Sequence, residues 1–215
     1  MITNRRDFLA ACAAAVAASQ LKAGPAAAAD KPPVLGLIFP PANRGIPEEG
    51  VAMYGDRLKF VVTGLGVETM TPEGFDAVIE RIPAAAKKLA AAGAQAIELT
   101  GTSLTFYKGE AYNQLLRKTV TDASGLPATT MSNGVIEGLK AVGARKVAVA
   151  TAYVDEVNER LRAFLIEHGM TPVVVTGLGI AAIGEVDRVS QDDLIAFGER
   201  VRKSAADADS LLVSC

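Results

Sequence analysis

The chain has 215 residues and a formal net charge of −2, and half of its residues are apolar. This length suits one domain or two small intertwined ones, and the apolar fraction is ample for a hydrophobic core. Because the net charge is near zero and no basic stripe occurs, the sequence gives no support for a nucleic acid or an anionic membrane as a partner. The expected partner is therefore a small molecule.

Several kinds of catalytic site are disfavoured by composition. His168 is the only histidine, and Glu167-His168-Gly169 is typical of a helix end with a glycine cap. Clustered His and Cys zinc ligands are absent, as are the glycine motifs that bind phosphates and dinucleotides. Any chemistry is left to cysteine, carboxylates, tyrosine, hydroxyls and backbone N–H groups, so we expect no cofactor and no metal.

Residues 1–29 are predicted to be a twin-arginine signal peptide. Arg5-Arg6-Asp7-Phe8-Leu9 is the twin-arginine pattern, residues 10–18 are apolar, and Ala27-Ala28-Ala29 offers a small-residue cleavage site. The apolar stretch is too short to span a bilayer, which needs about 20 residues, so we expect no stable membrane anchor. The expected partner is the twin-arginine export machinery and the expected location is the periplasm. The alternative is a disordered alanine-rich tail.

Residues 30–215 are predicted to alternate between strands and helices. The expected strands span 34–39, 58–65, 96–100, 128–131, 146–151, 171–176 and 210–215. The expected helices span 71–92 with a kink at Pro83, 110–123, a segment capped by Ser132 that stops at Gly143, 153–168, and 191–206. This alternation predicts a mostly parallel α/β sheet covered on both faces.

A weak internal repeat accompanies this pattern. A shift of 114 positions places Ala94 on Ala208, Ile97 on Leu211, Leu99 on Val213, Thr100 on Ser214 and Gly101 on Cys215. Two related half-domains, each delivering one strand end to a shared cleft, would produce this match. Small-residue-rich segments also match by chance, and that alternative stays open.

The residues that follow the predicted strands form a candidate site. They are Pro40-Pro41, Gly101-Thr102-Ser103, Thr151-Ala152-Tyr153 and Ser214-Cys215. Ligands of parallel sheets bind beyond the carboxyl ends of the strands, and a thiol with several hydroxyls can hold an oxyanion and move one proton. Cys215 is the only cysteine after residue 29, and a lone thiol in an oxidising compartment favours a functional role. The alternative is that Thr102 and Ser103 simply cap a helix.

Four segments resemble the arylmalonate decarboxylase family, which belongs to the aspartate/glutamate racemase superfamily. They are the stretches from Gly101 to Tyr107, from Thr130 to Ser132, from Ala150 to Leu161 and from Leu212 to Cys215. Pro40-Pro41 and the stretch from Thr71 to Asp76 fit as well. The resemblance implies two pseudo-symmetric α/β halves with the active site between them, and a monomer is expected.

The resemblance also implies the activity and the site. It implies cofactor-free loss of CO2 from a disubstituted malonate, a small-molecule dicarboxylate. Thr102, Ser103 and Tyr153 would hold one carboxylate, and Cys215 would protonate the carbanion from one face. The other substrate-binding residues implied or expected are Pro40, Pro41, Val67, Met70, Phe75, Gly101, Leu104, Ile183, Val186 and Ser214.

Two departures bear on this expectation. Racemases and maleate isomerases of the superfamily carry a second cysteine where this chain has Gly101, which favours the decarboxylase. The family also continues past the cysteine with a Gly-rich turn and a helix, so the 30–215 domain is expected to be truncated at its C-terminus. A racemase or maleate isomerase with an altered site, and an exported solute-binding protein, remain the alternatives.

Overall fold

The computed structural model describes residues 31–214, so the proposed signal peptide and Cys215 lie outside the described residues. The chain divides into units Met1–Pro32 and Pro33–Cys215, and every element below belongs to the second. The strands are β1 (Val34–Phe39), β2 (Lys59–Gly64), β3 (Ala96–Leu99), β4 (Ala128–Thr130), β5 (Lys146–Thr151), β6 (Thr171–Gly177) and β7 (Ser210–Ser214). The helices are α1 (Glu48–Tyr54), α2 (Pro72–Asp76), α3 (Ile82–Ala91), α4 (Thr102–Phe106), α5 (Glu110–Ser124), α6 (Met131–Ala141), α7 (Asp155–Glu167) and α8 (Gln191–Ser204). Short 3-10 helices span Gly55–Arg57, Ile79–Arg81 and Ile183–Arg188.

The strands form two parallel sheets with matching topology, in the orders β2-β1-β3-β4 and β6-β5-β7. The first residue of each central strand pairs with the first residue of one neighbour, Val34 with Lys59 and Lys146 with Thr171. The second residue of each central strand pairs with the first residue of the other neighbour. Strand β7 is therefore the counterpart of β3, as the 114-residue shift predicts. The expectation of two pseudo-symmetric α/β halves is confirmed.

The two counterpart strands differ in how they are covered. Ile97 and Leu99 of β3 are 1% and 0% exposed, whereas Leu211 and Val213 of β7 are 36% and 47% exposed. Strand β3 has β4 beside it, while β7 is an edge strand among the described residues. The repeat thus holds for topology and register but not for burial.

The prediction of one continuous helix over residues 71–92 was wrong. The segment 71–92 contains α2, a 3-10 turn and α3 instead of one kinked helix. Thr71 does act as the N-cap, since its Oγ1 accepts a hydrogen bond from the Gly74 N–H at 3.3 Å. Pro83 lies in the first turn of α3, where the missing N–H has no helical partner to lose, so it begins a helix instead of kinking one.

The prediction that Ser132 caps a helix was also wrong. Strand β4 ends at Thr130, and α6 begins at the next residue. Thr130 is the N-cap, and its Oγ1 accepts a hydrogen bond from the Asn133 N–H at 3.2 Å. Ser132 is left free for a different role at the candidate site.

A shared hydrophobic core joins the two halves. Phe106 from the first half packs against Tyr153 and Phe164 from the second, with ring centroids 5.9 and 6.1 Å apart. All three side chains are at most 1% exposed. Because the core is continuous, the strand ends of the two sheets are held in fixed relation to each other.

His168 has a structural position, as its sequence context predicted. It is the C-cap of α7, and its Nε2 lies 3.1 Å from Oε2 of Glu110 at the start of α5. Gly169 follows with φ of 80°. Within residues 31–214, none of the helices is long and apolar enough to cross a membrane.

Candidate active site

Three buried hydroxyls from three strand ends meet in one cluster. Thr102 Oγ1 lies 2.6 Å from the Tyr153 hydroxyl and 2.9 Å from Ser214 Oγ, and Tyr153 and Ser214 are 3.2 Å apart. Thr102 follows β3, Tyr153 follows β5 and Ser214 ends β7. Parallel strands present their carboxyl ends at one edge, which explains the convergence. We call these three residues the hydroxyl cluster.

Gly101 makes the turn that delivers Thr102 to the cluster. Its φ is 88°, a region that favours glycine, and a Cβ atom built there would overlap the Pro40 ring. Gly101 is also the N-cap of α4, and no side chain caps that helix. The alternative that Thr102 merely caps a helix therefore does not describe its hydroxyl, which lies in the cluster.

Two hydroxyls that the sequence did not single out as site residues support this turn. Ser132 Oγ donates to the Thr102 carbonyl at 3.1 Å and lies 2.6 Å from Thr105 Oγ1. Thr105 Oγ1 donates in turn to the Gly101 carbonyl at 3.2 Å. The segment from Thr130 to Ser132 was noticed for its resemblance, but Ser132 was interpreted as a cap. These bonds fix the backbone on which the Thr102 hydroxyl is carried.

Asn158 supports the Tyr153 side in the same way, and it too was missed. Thr151 Oγ1 donates to Asn158 Oδ1 at 2.6 Å and accepts from the Tyr153 N–H at 3.2 Å. Asn158 Nδ2 donates to the Tyr153 carbonyl at 3.3 Å. Both Thr151 and Asn158 are buried. The backbone of Tyr153 is therefore held by hydrogen bonds with Thr151 and Asn158, in addition to the packing of its ring.

A largely apolar cavity of about 270 Å³ is lined by Gly101 and Ser103, the chain neighbours of Thr102. The predicted site residues that line it are Pro40, Pro41, Met70, Phe75, Gly101, Ser103, Ile183 and Val186. Phe39, Arg44, Pro47, Thr100 and Met131 line it as well and were not predicted as site residues. A carboxylate in such surroundings loses hydration that apolar groups do not replace, which disfavours its charged form.

The remaining predicted residues lie elsewhere. Val67 and Leu104 are buried in the core, 3% and 0% exposed, and are not among the lining residues of this cavity. Ser214 lines a second cavity of about 280 Å³, on the β5–β7 side, and Val186 lines both cavities. Of the three cluster residues, Ser214 lines the second cavity, and Thr102 and Tyr153 are among the lining residues of neither. The roles of all these residues in substrate binding stay predictions.

A polar contact fixes the helix that carries Phe75. Asp76 Oδ1 accepts hydrogen bonds from Lys108 Nζ and the Tyr107 hydroxyl, each at 2.5 Å. These bonds, first that from Lys108 and then that from Tyr107, hold the pKa of Asp76 below its usual range. Burial, followed by the bond to Asp76, raises the pKa of Tyr107. The Tyr107 ring also packs on Phe75, with centroids 5.1 Å apart, so Tyr107 contacts two consecutive residues of α2.

No group of three or more His, Cys, Asp or Glu side chains suited to a metal ion occurs between residues 31 and 214. The groups that the site offers in that range are hydroxyls, backbone N–H groups, apolar surfaces and the guanidinium of Arg44. This set can bind an oxyanion on one side and desolvate a second charge on the other.

Comparisons with known proteins identify the family of the chain. Residues 35–215 match the family described as arylmalonate decarboxylase. Arylmalonate decarboxylase of Bordetella bronchiseptica is 45% identical over 183 residues, which cover 85% of this chain and 76% of that protein. A crystal structure of a double mutant of arylmalonate decarboxylase in the liganded form is 44% identical, with a TM-score of 0.81 over 85% of this chain and 77% of that one.

A more distant likeness concerns the fold alone. Maleate cis-trans isomerase of Nocardia farcinica, solved bound to TRIS, is 22% identical, with a TM-score of 0.78 over 85% of this chain and 77% of that one. The match to the family profile and the 45% identity are far stronger. The chain therefore belongs to the arylmalonate decarboxylase family, a family of carboxy-lyases.

Proposed function

We propose that the protein decarboxylates a malonate-type dicarboxylic acid with an apolar, aryl-like substituent and protonates the product from one face. The observation that carries this proposal is the hydroxyl cluster, assembled from both halves beside an apolar cavity. It places donors for one carboxylate next to a space that disfavours the charge of another. Family membership supports the same reaction.

The retained carboxylate binds at the donors. Ser103 lines the cavity, Thr102 precedes Ser103 in the chain, and the buried Thr102 hydroxyl lies 2.6 Å from the Tyr153 hydroxyl. The contact between Tyr153 and Ser214, at 3.2 Å, is the longest in the cluster, so its hydrogen is the easiest to redirect to a substrate oxygen. Such preorganised donors stabilise negative charge that grows in the transition state.

The departing carboxylate occupies the apolar cavity. Its bond to the α-carbon breaks, CO2 leaves as a neutral molecule, and the electron pair passes into the retained carboxylate as an enediolate. Met70, Ile183 and Val186 offer that group no hydrogen bond, so the charged ground state gains little there. The donors, in contrast, gain strength as the enediolate forms.

Cys215 then donates its proton to the α-carbon and recovers a proton from solvent. Cys215 follows Ser214 directly in the chain, and Ser214 reaches the hydroxyl cluster. Gly101, its counterpart in the repeat, carries no acid. A proton source on one side only predicts a single product enantiomer, whereas racemisation needs an acid on both faces.

The test is a reaction of the purified protein with phenylmalonate in D2O. We expect release of CO2 and one enantiomer of phenylacetate carrying one α-deuterium, read by NMR and, for a 2-methyl-substituted substrate, by chiral chromatography. Cys215→Ser is the matched control and should bind the substrate in calorimetry without turnover. Binding without CO2 release in the unaltered protein would instead identify a solute-binding protein.

A further inference from the structure

One charged side chain stands on the wall of the apolar cavity. Within the described residues that line it, Arg44 is the only one with a charge. Arg44 lies between β1 and α1, in the segment that also supplies Pro40 and Pro41 to the wall. Its side chain is 55% exposed. A guanidinium that both lines a cavity and faces solvent marks the mouth of that cavity.

An acidic partner faces it from the other side. Arg44 Nη1 lies 3.8 Å from Oδ1 of Asp187, which is 73% exposed. Asp187 belongs to the 3-10 helix Ile183–Arg188, the segment that contributes Ile183 and Val186 to the wall. The ion pair therefore links the two segments that border the mouth.

This pair is weak enough to exchange partners. Its separation is close to the limit for an ion pair, and both side chains are more than half exposed, so water screens the attraction. An incoming carboxylate can compete with Asp187 for the guanidinium. The mouth is thus a place where a charged ligand meets a cation before it meets the apolar wall.

A decarboxylase site of this kind faces two opposed requirements. A dianion must be attracted into a cavity whose apolar wall disfavours charge, and a cation at the mouth raises the local concentration of anions. If the guanidinium entered the cavity together with the substrate, however, it would stabilise the charged form of the departing carboxylate and slow the loss of CO2. A competing carboxylate at the mouth satisfies both requirements, because it holds the cation back.

Resting on the proposed decarboxylation, we propose that Arg44 and Asp187 together determine charge specificity at the cavity mouth. Arg44 favours entry of doubly charged malonates over singly charged acids. The product has lost one charge, so the same cation holds it less strongly and release is favoured. Asp187 keeps the guanidinium at the mouth, away from the carboxylate that leaves.

Three variants of the whole protein test this with phenylmalonate as the probe. Arg44→Gln should raise KM about tenfold at low ionic strength, with kcat within about twofold, and should flatten the salt dependence of kcat/KM. Asp187→Asn should have the opposite effect on KM, which should fall, and should also lower kcat. Arg188→Gln is the matched control, since it removes the same charge one residue from Asp187 but outside the lining of the cavity.

The outcomes separate this inference from the proposed function. If Arg44→Gln keeps the KM and the salt dependence of the unaltered protein, or if Arg188→Gln has an equal effect, the role of Arg44 is refuted while decarboxylation stands. If Asp187→Asn leaves kcat unchanged, the restraint on the guanidinium is refuted. Absence of CO2 release from the unaltered protein would refute the proposed function itself. Thermal unfolding of each variant checks that the fold is kept.

Discussion

Thr102 and Tyr153 belong to different halves of the molecule, and their hydroxyl oxygens are 2.6 Å apart. Each is carried by the first residues after a parallel strand, and each is held by its own set of buried hydrogen bonds. The contact exists only while the two halves keep their relative position. The groups that we propose as carboxylate donors are therefore also part of the junction between the halves.

Loss of one of the proposed carboxylate donors should lower turnover strongly. We expect Tyr153→Phe, Thr102→Ala and Ser103→Ala each to reduce kcat by about 10²–10³, because each removes a preorganised donor to the retained carboxylate. Steady-state kinetics measure this. Tyr112→Phe is the control, since it removes a phenolic hydroxyl that pairs only with Tyr107 at 3.3 Å among the contacts described. Near-normal rates in all three site variants would show that the carboxylate binds elsewhere.

Moving the thiol across the cleft should reverse the handedness of the product. If Gly101 and Cys215 face opposite sides of the carbanion, Gly101→Cys with Cys215→Ser should give the opposite enantiomer, read by chiral chromatography. The original enantiomer from this double variant would contradict the two-sided arrangement.

The same substitution should carry a stability penalty. A non-glycine residue in the backbone conformation of Gly101, with φ of 88° and ψ of 97°, costs about 1–3 kcal/mol, and the new Cβ would overlap Pro40. We expect a lower unfolding free energy for Gly101→Cys in urea titrations, partly recovered by adding Pro40→Ala. A Gly101→Cys protein as stable as the unaltered one would show that Pro40 moves freely.

The hydrogen bonds of the Asp76 carboxylate with Lys108 and Tyr107 should make a pH-dependent contribution to the free energy of unfolding. The lowered pKa of Asp76 means that the folded state favours its ionised form, so the stabilisation is present above about pH 4 and disappears as pH falls through the folded pKa. Because the Asp76 side chain is 50% exposed, water screens the attraction, so Asp76→Asn should lower the unfolding free energy by less than about 1 kcal/mol at pH 7, and this difference should shrink below about pH 4. Urea unfolding between pH 3 and 7 measures it.

Asp122→Asn is the control for this series, because its ion pair with Lys118 lies on an exposed helix surface and should contribute little. A difference between Asp76→Asn and the unaltered protein that stays constant down to pH 3 would contradict the assignment to the ionised carboxylate.

Export is expected to depend on the two arginines near the N-terminus. We propose that Arg5 and Arg6 direct the precursor through the twin-arginine machinery, with cleavage before Asp30. The mature protein should then appear in the periplasmic fraction with Asp30 at its N-terminus, determined by mass spectrometry. Replacing both arginines with lysine should retain the precursor in the cytoplasm; unchanged export would rule out this route.

Much of the fold was predictable because buried parallel strands have short, continuous apolar sequences. Strands β1 and β5 match their predicted bounds, and the convergence of Thr102, Tyr153 and Ser214 follows from where such strands end. The break after Asp76 was not predictable from periodicity, since helical spacing continues through it. Arg44 and Asp187 were missed because each is a single exposed charge with no motif around it, and only the three-dimensional fold brings the two side chains together.

The uncovered face of β7 bears on how the protein behaves at high concentration. Among residues 31–214, Leu211 and Val213 present alternate apolar side chains on an edge strand, a combination that invites strand addition from another molecule. A version of the protein cut at residue 215 should therefore be limited in colloidal stability by this edge before the fold itself melts. A charged residue at position 213 is the natural choice for crystallisation or long-term storage, because it lies outside the hydroxyl cluster and repels a second edge.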